Sequence, residues 1–205
     1  MKTGVFRVLF SLLCGWTLTV SLPAWGDKIQ PMNLRTLAES AGVIFQGECT
    51  AIKTGKDPDS NLTATWYTFR IVNGIKGEIG EEYTLKQYGG TDGDITVHAP
   101  TVQFKIGEKV ILFLYGKSRI GFSTTVGMQQ GKFSVEPTSG NGVQSVTNGM
   151  PAMLLWEGLS TPIPSLDAKG NKAHGDSRLR SNRMEVNEFL AAVKDLVKQQ
   201  REKKE

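Results

Sequence analysis

Apolar side chains recur at two different periods along this chain, and each change of period marks an element. Leu34, Leu37, Ala38 and Ala41 fall at helical spacing behind Asn33, a residue suited to cap a helix, and Gly42 follows as a stop. From Val43 the period becomes that of strands. Residues 43–53 read as one long strand with Gly47 placed for a bulge, and 63–75 as a second. In the second, Tyr67, Phe69 and Ile71 alternate with Trp66, Thr68 and Arg70. Between them, 56–61 (KDPDSN) is turn chemistry. Residues 82–88 (EYTLKQY) make a third strand, and 89–94 (GGTDGD) a glycine-rich loop. Short strands are expected at 95–97 and 102–104. Residues 109–115 (KVILFLY) carry no polar side chain after Lys109 until Tyr115, which predicts burial on both faces. Strands at 121–126, 132–135 and 143–147 follow, the last introduced by the turn Ser139-Gly140-Asn141-Gly142.

Seven or eight short strands with hardly any helix between them favour a barrel or sandwich over a parallel α/β sheet. After Gly158 the composition shifts. Residues 159–181 hold prolines, serines, glycines and charges with few large apolar groups, and read as a linker or mobile arm. From about Arg183 a helix is expected, because Val186, Phe189, Leu190, Val193, Leu196 and Val197 fall on one stripe. That stripe can dock on its own domain, on a partner or on a membrane surface. The organisation expected is therefore 1–26, a signal peptide; 27–158, a β-barrel domain; 159–181, a linker; and 182–205, an amphipathic C-terminal helix.

The leader rests on charge and side-chain size. Lys2 and Arg7 precede the apolar run 8–20 with no acid before Asp27, and Ala24-Trp25-Gly26 places small residues where signal peptidase needs them. An uncleaved anchor wants about 20 apolar residues, and this run meets Gly15 within it and Pro23 soon after. Leu13 before Cys14 does not suit lipid modification. A periplasmic or secreted location follows, with no stable membrane anchor once the leader is cut. The net charge is +4, and removing Lys2 and Arg7 with the leader lowers it to +2. A nucleic-acid partner would call for a basic face, so none is expected. The remaining cysteine, Cys49, has no intrachain partner. It lies in an apolar stretch (VIFQGECTAI), where a buried inert thiol competes with a reactive or dimer-forming one.

Candidate chemistry is sparse. Asp57-Pro58-Asp59-Ser60-Asn61 opens like a calcium loop, but Leu62 and Thr68 stand where the bend and the bidentate ligand belong. The two histidines, His98 and His174, make no paired metal-ligand spacing with Cys49, and no serine sits in a Gly-x-Ser-x-Gly turn. No catalytic residue, metal or cofactor is assigned. The glycine-rich segment Gly89, Gly90, Thr91, Asp92, Gly93, Asp94 is the candidate binding site, since loops on a rigid scaffold are where binding resides. Trp66 and Tyr88 read as strand residues.

Five segments have a familiar ring together: LRTLAESAGVIFQG (34–47), TFRIVNGIKG (68–77), QYGG (87–90), FKIGEKVILFL (104–114) and GMQQGKFSV (127–135). The series resembles an uncharacterised group of exported bacterial proteins, and is more remotely similar to the netrin-like domain of tissue inhibitors of metalloproteases. That resemblance implies a five-stranded OB-type (Greek-key) barrel. It does not imply inhibition, because those inhibitors bind the protease zinc through an amino-terminal cysteine. Here the cleaved terminus would read Asp27-Lys28-Ile29, and no functional residue transfers.

The expectation is a mainly β, OB-like barrel with an N-terminal and a C-terminal helix, acting as a non-catalytic binding module. Its partner would be an exported protein or envelope component. The rivals are a self-associating structural envelope protein and an enzyme with a loop-built site.

Overall fold

Asn33 caps the first helix, as its side-chain chemistry suggests. Its Oδ1 accepts hydrogen bonds from the Thr36 amide (2.8 Å) and hydroxyl (2.9 Å) at the start of α1 (Leu34–Ser40). The structure is a computed structural model and describes residues 30–138, 142–167 and 169–203. The expected signal segment and residues 139–141 of the expected turn lie outside the described residues. From Pro31 onward the chain forms one compact unit.

The strands are β1 (Val43–Lys56), β2 (Thr63–Lys76), β3 (Glu82–Tyr88), β4 (Gly90–Asp92), β5 (Ile95–Val97), β6 (Lys109–Leu114), β7 (Lys132–Pro137), β8 (Gln144–Thr147) and β9 (Met184–Glu185). Seven form one antiparallel sheet in the order β3-β2-β1-β6-β7-β8-β9, while β4 and β5 make a separate two-stranded hairpin. The fold is mainly β. Among the described residues no ladder joins β3 to β9, so the expected closed barrel is not formed. Residues 121–126, expected as a strand, make only single bridges, Phe122 with Lys86 and Thr125 with Leu114.

Strand β1 bends at Gly47, where the register with β2 shifts between Gln46 and Gly47. A Cβ at Gly47 would lie 2.8 Å from the Arg70 carbonyl oxygen, so the close approach requires glycine. Alternation then divides the core in two. Ile44, Ile111 and Phe113 face one side, where they meet α1 and α4 (Val186–Glu202). Phe45, Val110, Leu112 and Leu114 face the other side and pack with Tyr67, Phe69, Leu85 and Phe104. Strand β6 is thus buried on both faces, as its unbroken apolar run predicts. The ring of Phe104 lies edge-on to Tyr67 (4.9 Å) and Phe69 (5.2 Å), although residues 102–104 join no ladder. Their alternation reflects burial of Val102 and Phe104 rather than strand pairing.

Helix α4 docks on its own domain. Its stripe Val186, Phe189, Leu190, Val193, Leu196 and Val197 is buried, with the Phe189 ring 4.8 Å from that of Phe133. The helix begins at Val186 because Met184 and Glu185 pair with β8, and Glu185 caps it by accepting from the Glu188 amide (2.6 Å). Lys76 fastens it across the sheet, donating to the Ala38 carbonyl (2.7 Å) and to Gln200 (2.8 Å).

Residues 159–181, expected as a linker or mobile arm, lie against the rest of the described chain. They bury Ser165, Leu166 and Ala173 and contain α3 (Asp176–Arg180). Leu159 and Ile163 pack against the core cluster, and hydrogen bonds add to the anchoring: Leu166 N to Arg183 O (2.9 Å), Glu185 N to Pro164 O (2.8 Å) and, within the segment, Ser165 Oγ to Arg178 O (2.7 Å). A short helix before this segment, α2 (Ala152–Leu155), has no counterpart in the sequence expectations. Among the described residues no helix is long and apolar enough to cross a membrane.

Candidate functional site

The glycine-rich segment begins where β3 leaves the main sheet. Gly89 (φ +96°) and Gly90 (φ +133°) turn the chain through backbone angles that side chains resist. Space is as restrictive as angle. A Cβ on Gly89 would sit 2.9 Å from Ala99 Cβ, and one on Gly90 2.5 Å from Thr65 Oγ1 and against Thr54 Oγ1. Residues 90–92, expected as loop, are strand β4, paired with β5 as Gly90 with Val97, Thr91 with Thr96 and Asp92 with Ile95. Gly93 and Asp94 form the tip.

Two hydroxyls clasp this hairpin to the body. Thr54 Oγ1 accepts from the Thr91 amide (2.7 Å) and donates to the Thr91 carbonyl (2.9 Å), while Thr65 Oγ1 donates to the Gly89 carbonyl (2.7 Å). Between the hairpin, the start of β2 and residues 98–103 lies a cleft of about 410 Å³, within the usual range of ligand sites, about 300–1,000 Å³. Thr65, Gly89, Gly90, Thr96, His98 and Gln103 are among its walls. No Asp, Glu, Lys or Arg lines it among the described residues. Behind the wall, Tyr67 holds Gln103 from the core, its hydroxyl donating to Gln103 Oε1 (2.7 Å). Burial pushes the Tyr67 pKa up, so the phenol remains a donor.

Of the six residues singled out in the sequence, Gly89 and Gly90 form cleft wall. Thr91 and Asp92 lie on β4, the hairpin strand clasped to β1, and Gly93 and Asp94 at its tip, outside the cleft wall. Thr54, Thr65, Thr96 and Gln103 were not foreseen, because threonine in a strand context reads as ordinary strand surface. Trp66 and Tyr88 lie on the opposite face of their strands from Thr65, outside the cleft. Lys53 Nζ stands 5.8 Å from the Trp66 ring.

The other candidates are dispersed. His174 lines a different cleft, of about 230 Å³, with Lys172, Arg178, Glu185 and Glu188. Cys49 is buried in the core, where burial pushes its thiol pKa up and keeps it protonated. Asp57 is committed to structure: Oδ2 accepts from the Ser60 amide (3.1 Å) and hydroxyl (2.6 Å), and Oδ1 from Lys86 Nζ (2.9 Å). Both oxygens are thereby engaged, one within the β1–β2 turn and the other by Lys86 of β3. Among the described residues no three His, Cys, Asp or Glu side chains come together as a metal site.

No protein-family model and no curated protein matches the chain.

Proposed function

We propose that this protein is an exported, non-catalytic binding module that holds an exported protein or envelope component in the cleft beneath the β4–β5 hairpin. The observation that carries the reading is the cleft itself. It is built from a hairpin held out from the main sheet, with glycine backbone and the hydrogen-bonding side chains of Thr65, Thr96 and Gln103 in its wall. The scaffold is read as an OB-like barrel of β1, β2, β3 and β6 completed by residues 122–125. The bridges of Phe122 to Lys86, parallel, and of Thr125 to Leu114, antiparallel, support that reading. So does the enclosed cluster of Phe45, Tyr67, Phe69, Leu85 and Leu112. OB-type barrels bind on a strand face and the adjoining loops. The remote similarity to netrin-like domains agrees with this scaffold, and the leader at 1–26 supplies the exported address.

The test replaces 89–94 by a short neutral turn and repeats affinity capture from the exported fraction, read by mass spectrometry. The expected result is loss of a partner that the unaltered protein captures, with unchanged far-UV circular dichroism. Capture that survives the replacement, or turnover of a substrate that depends on His98, would overturn the proposal.

A further inference from the structure

Gln87 is fully buried on β3, and neither its Oε1 nor its Nε2 hydrogen-bonds another protein group. A buried carboxamide left in that state is costly, and each such group in a native fold calls for an explanation. Its position supplies one. Gln87 stands directly opposite Thr65 in the β2–β3 ladder, so both side chains rise from the same face with Cβ atoms about 5 Å apart. Thr65 is cleft wall, and its hydroxyl is the pin that holds the Gly89 carbonyl. Gln87 does not itself line the cleft, but it is the cross-strand neighbour of a residue that does, two positions before Gly89, where the hairpin departs.

Resting on the binding-module reading, we infer that Gln87 is the residue by which this cleft recognises an extended, uncharged polypeptide segment, reached when the Thr54 and Thr65 clasps release and the hairpin lifts. A carboxamide carries a donor and an acceptor side by side. In an extended chain, the N–H and C=O of one residue point the same way and match that pair. Among the described residues strand β5 pairs with β4 alone, so its other edge offers backbone groups for strand addition. No Phe, Tyr or Trp lines the cleft among the described residues, which disfavours a sugar needing an aromatic platform.

The test uses the protein in its exported form, labelled with ¹⁵N and titrated separately with N-acetylglycinamide and with methyl glucoside. The expected result is saturable shifts of the Gln87 side-chain amide and of the Gly89 and Gly90 amides with the peptide amide alone. Gln87→Leu should weaken that response at least tenfold while the melting temperature holds or rises, since an unmet polar group has been removed. Gln87→Met serves as a second variant if the leucine chain does not fold. Shifts with methyl glucoside only, an unchanged response in the variant, or a clear drop in melting temperature would each overturn the inference. The drop would mean that the amide is met by ordered water as part of the fold. Partner capture that needs the hairpin but not Gln87 would overturn this inference alone and leave the binding-module reading standing.

Discussion

Single side chains in this protein do work that their neighbours in sequence do not reveal. Asp57 sits in a turn rich in polar residues, yet it is almost wholly buried and paired with Lys86. Lys86 in turn lies 4.7 Å from the Phe122 ring, so the pair ties the β1–β2 turn to β3 and to residues 121–123. Hydrogen bonds from Ser60 and Lys86 lower the Asp57 pKa below the ordinary carboxylate value. The sign follows from that direction. A depressed folded pKa contributes stability that is full above the unfolded value of about 3.9 and is lost as pH falls through the folded one. Asp57→Asn should therefore lower the melting temperature by several degrees near neutral pH, because Lys86 keeps its charge without its partner. The gap between variant and wild type should narrow once pH drops below about 4, as thermal melts across the acid range would read. A gap that is independent of pH would show that the carboxylate's charge is not what stabilises the turn. Gly47 and Gly90 illustrate the complementary case, positions where any side chain would strike a neighbouring carbonyl or hydroxyl.

Among the elements, α4 and the β4–β5 hairpin stand at opposite ends of a stability scale. Helix α4 buries seven residues, Val186, Phe189, Leu190, Ala192, Val193, Leu196 and Val197, against the sheet and α1. Phe189 is central, with Phe133 and Trp156 rings at 4.8 Å and 6.1 Å. Phe189→Ala should cost about 3–5 kcal/mol, measured as the shift in the urea unfolding midpoint. A loss below about 1 kcal/mol would show that the helix contributes little to the fold. The hairpin is instead fastened by threonine hydroxyls and exposes Thr91, Gly93, Asp94 and Ile95. Such a segment opens at lower free energy than the core, as a binding element must. Residues 159–181 fall between the two, anchored by the packing of Leu159 and Ile163 on the core and by backbone and hydroxyl hydrogen bonds.

At the scale of the whole molecule, one sheet separates two hydrophobic clusters, one covered by α1 and α4 and one enclosed by β1, β2, β3 and β6. The cleft lies at the edge of the second. The address of the molecule is tested by its terminus: the exported form should begin at Asp27, read by intact mass. A species that keeps residues 8–20 would overturn both the processing and the exported assignment.

Much of this architecture could be read from the chain because it depends on near neighbours. The Asn33 cap, the Gly47 bulge, the alternation of β2, the doubly buried β6 and the apolar stripe of α4 follow from spacings of a few residues. Burial and capping act over those spacings. The open sheet, the anchored 159–181 segment and the cleft were not legible, because their deciding contacts join distant positions. Thr54 reaches Thr91 across 37 residues, and Tyr67 reaches Gln103 across 36. Gln87 is the clearest instance. Alternation places it on the inner face of β3, but that its buried amide is bonded to no other described protein group, beside a cleft-wall threonine, depends on which strands and loops close around it. A hydrogen bond is directional and short, so it is settled only when the chain has brought both partners together.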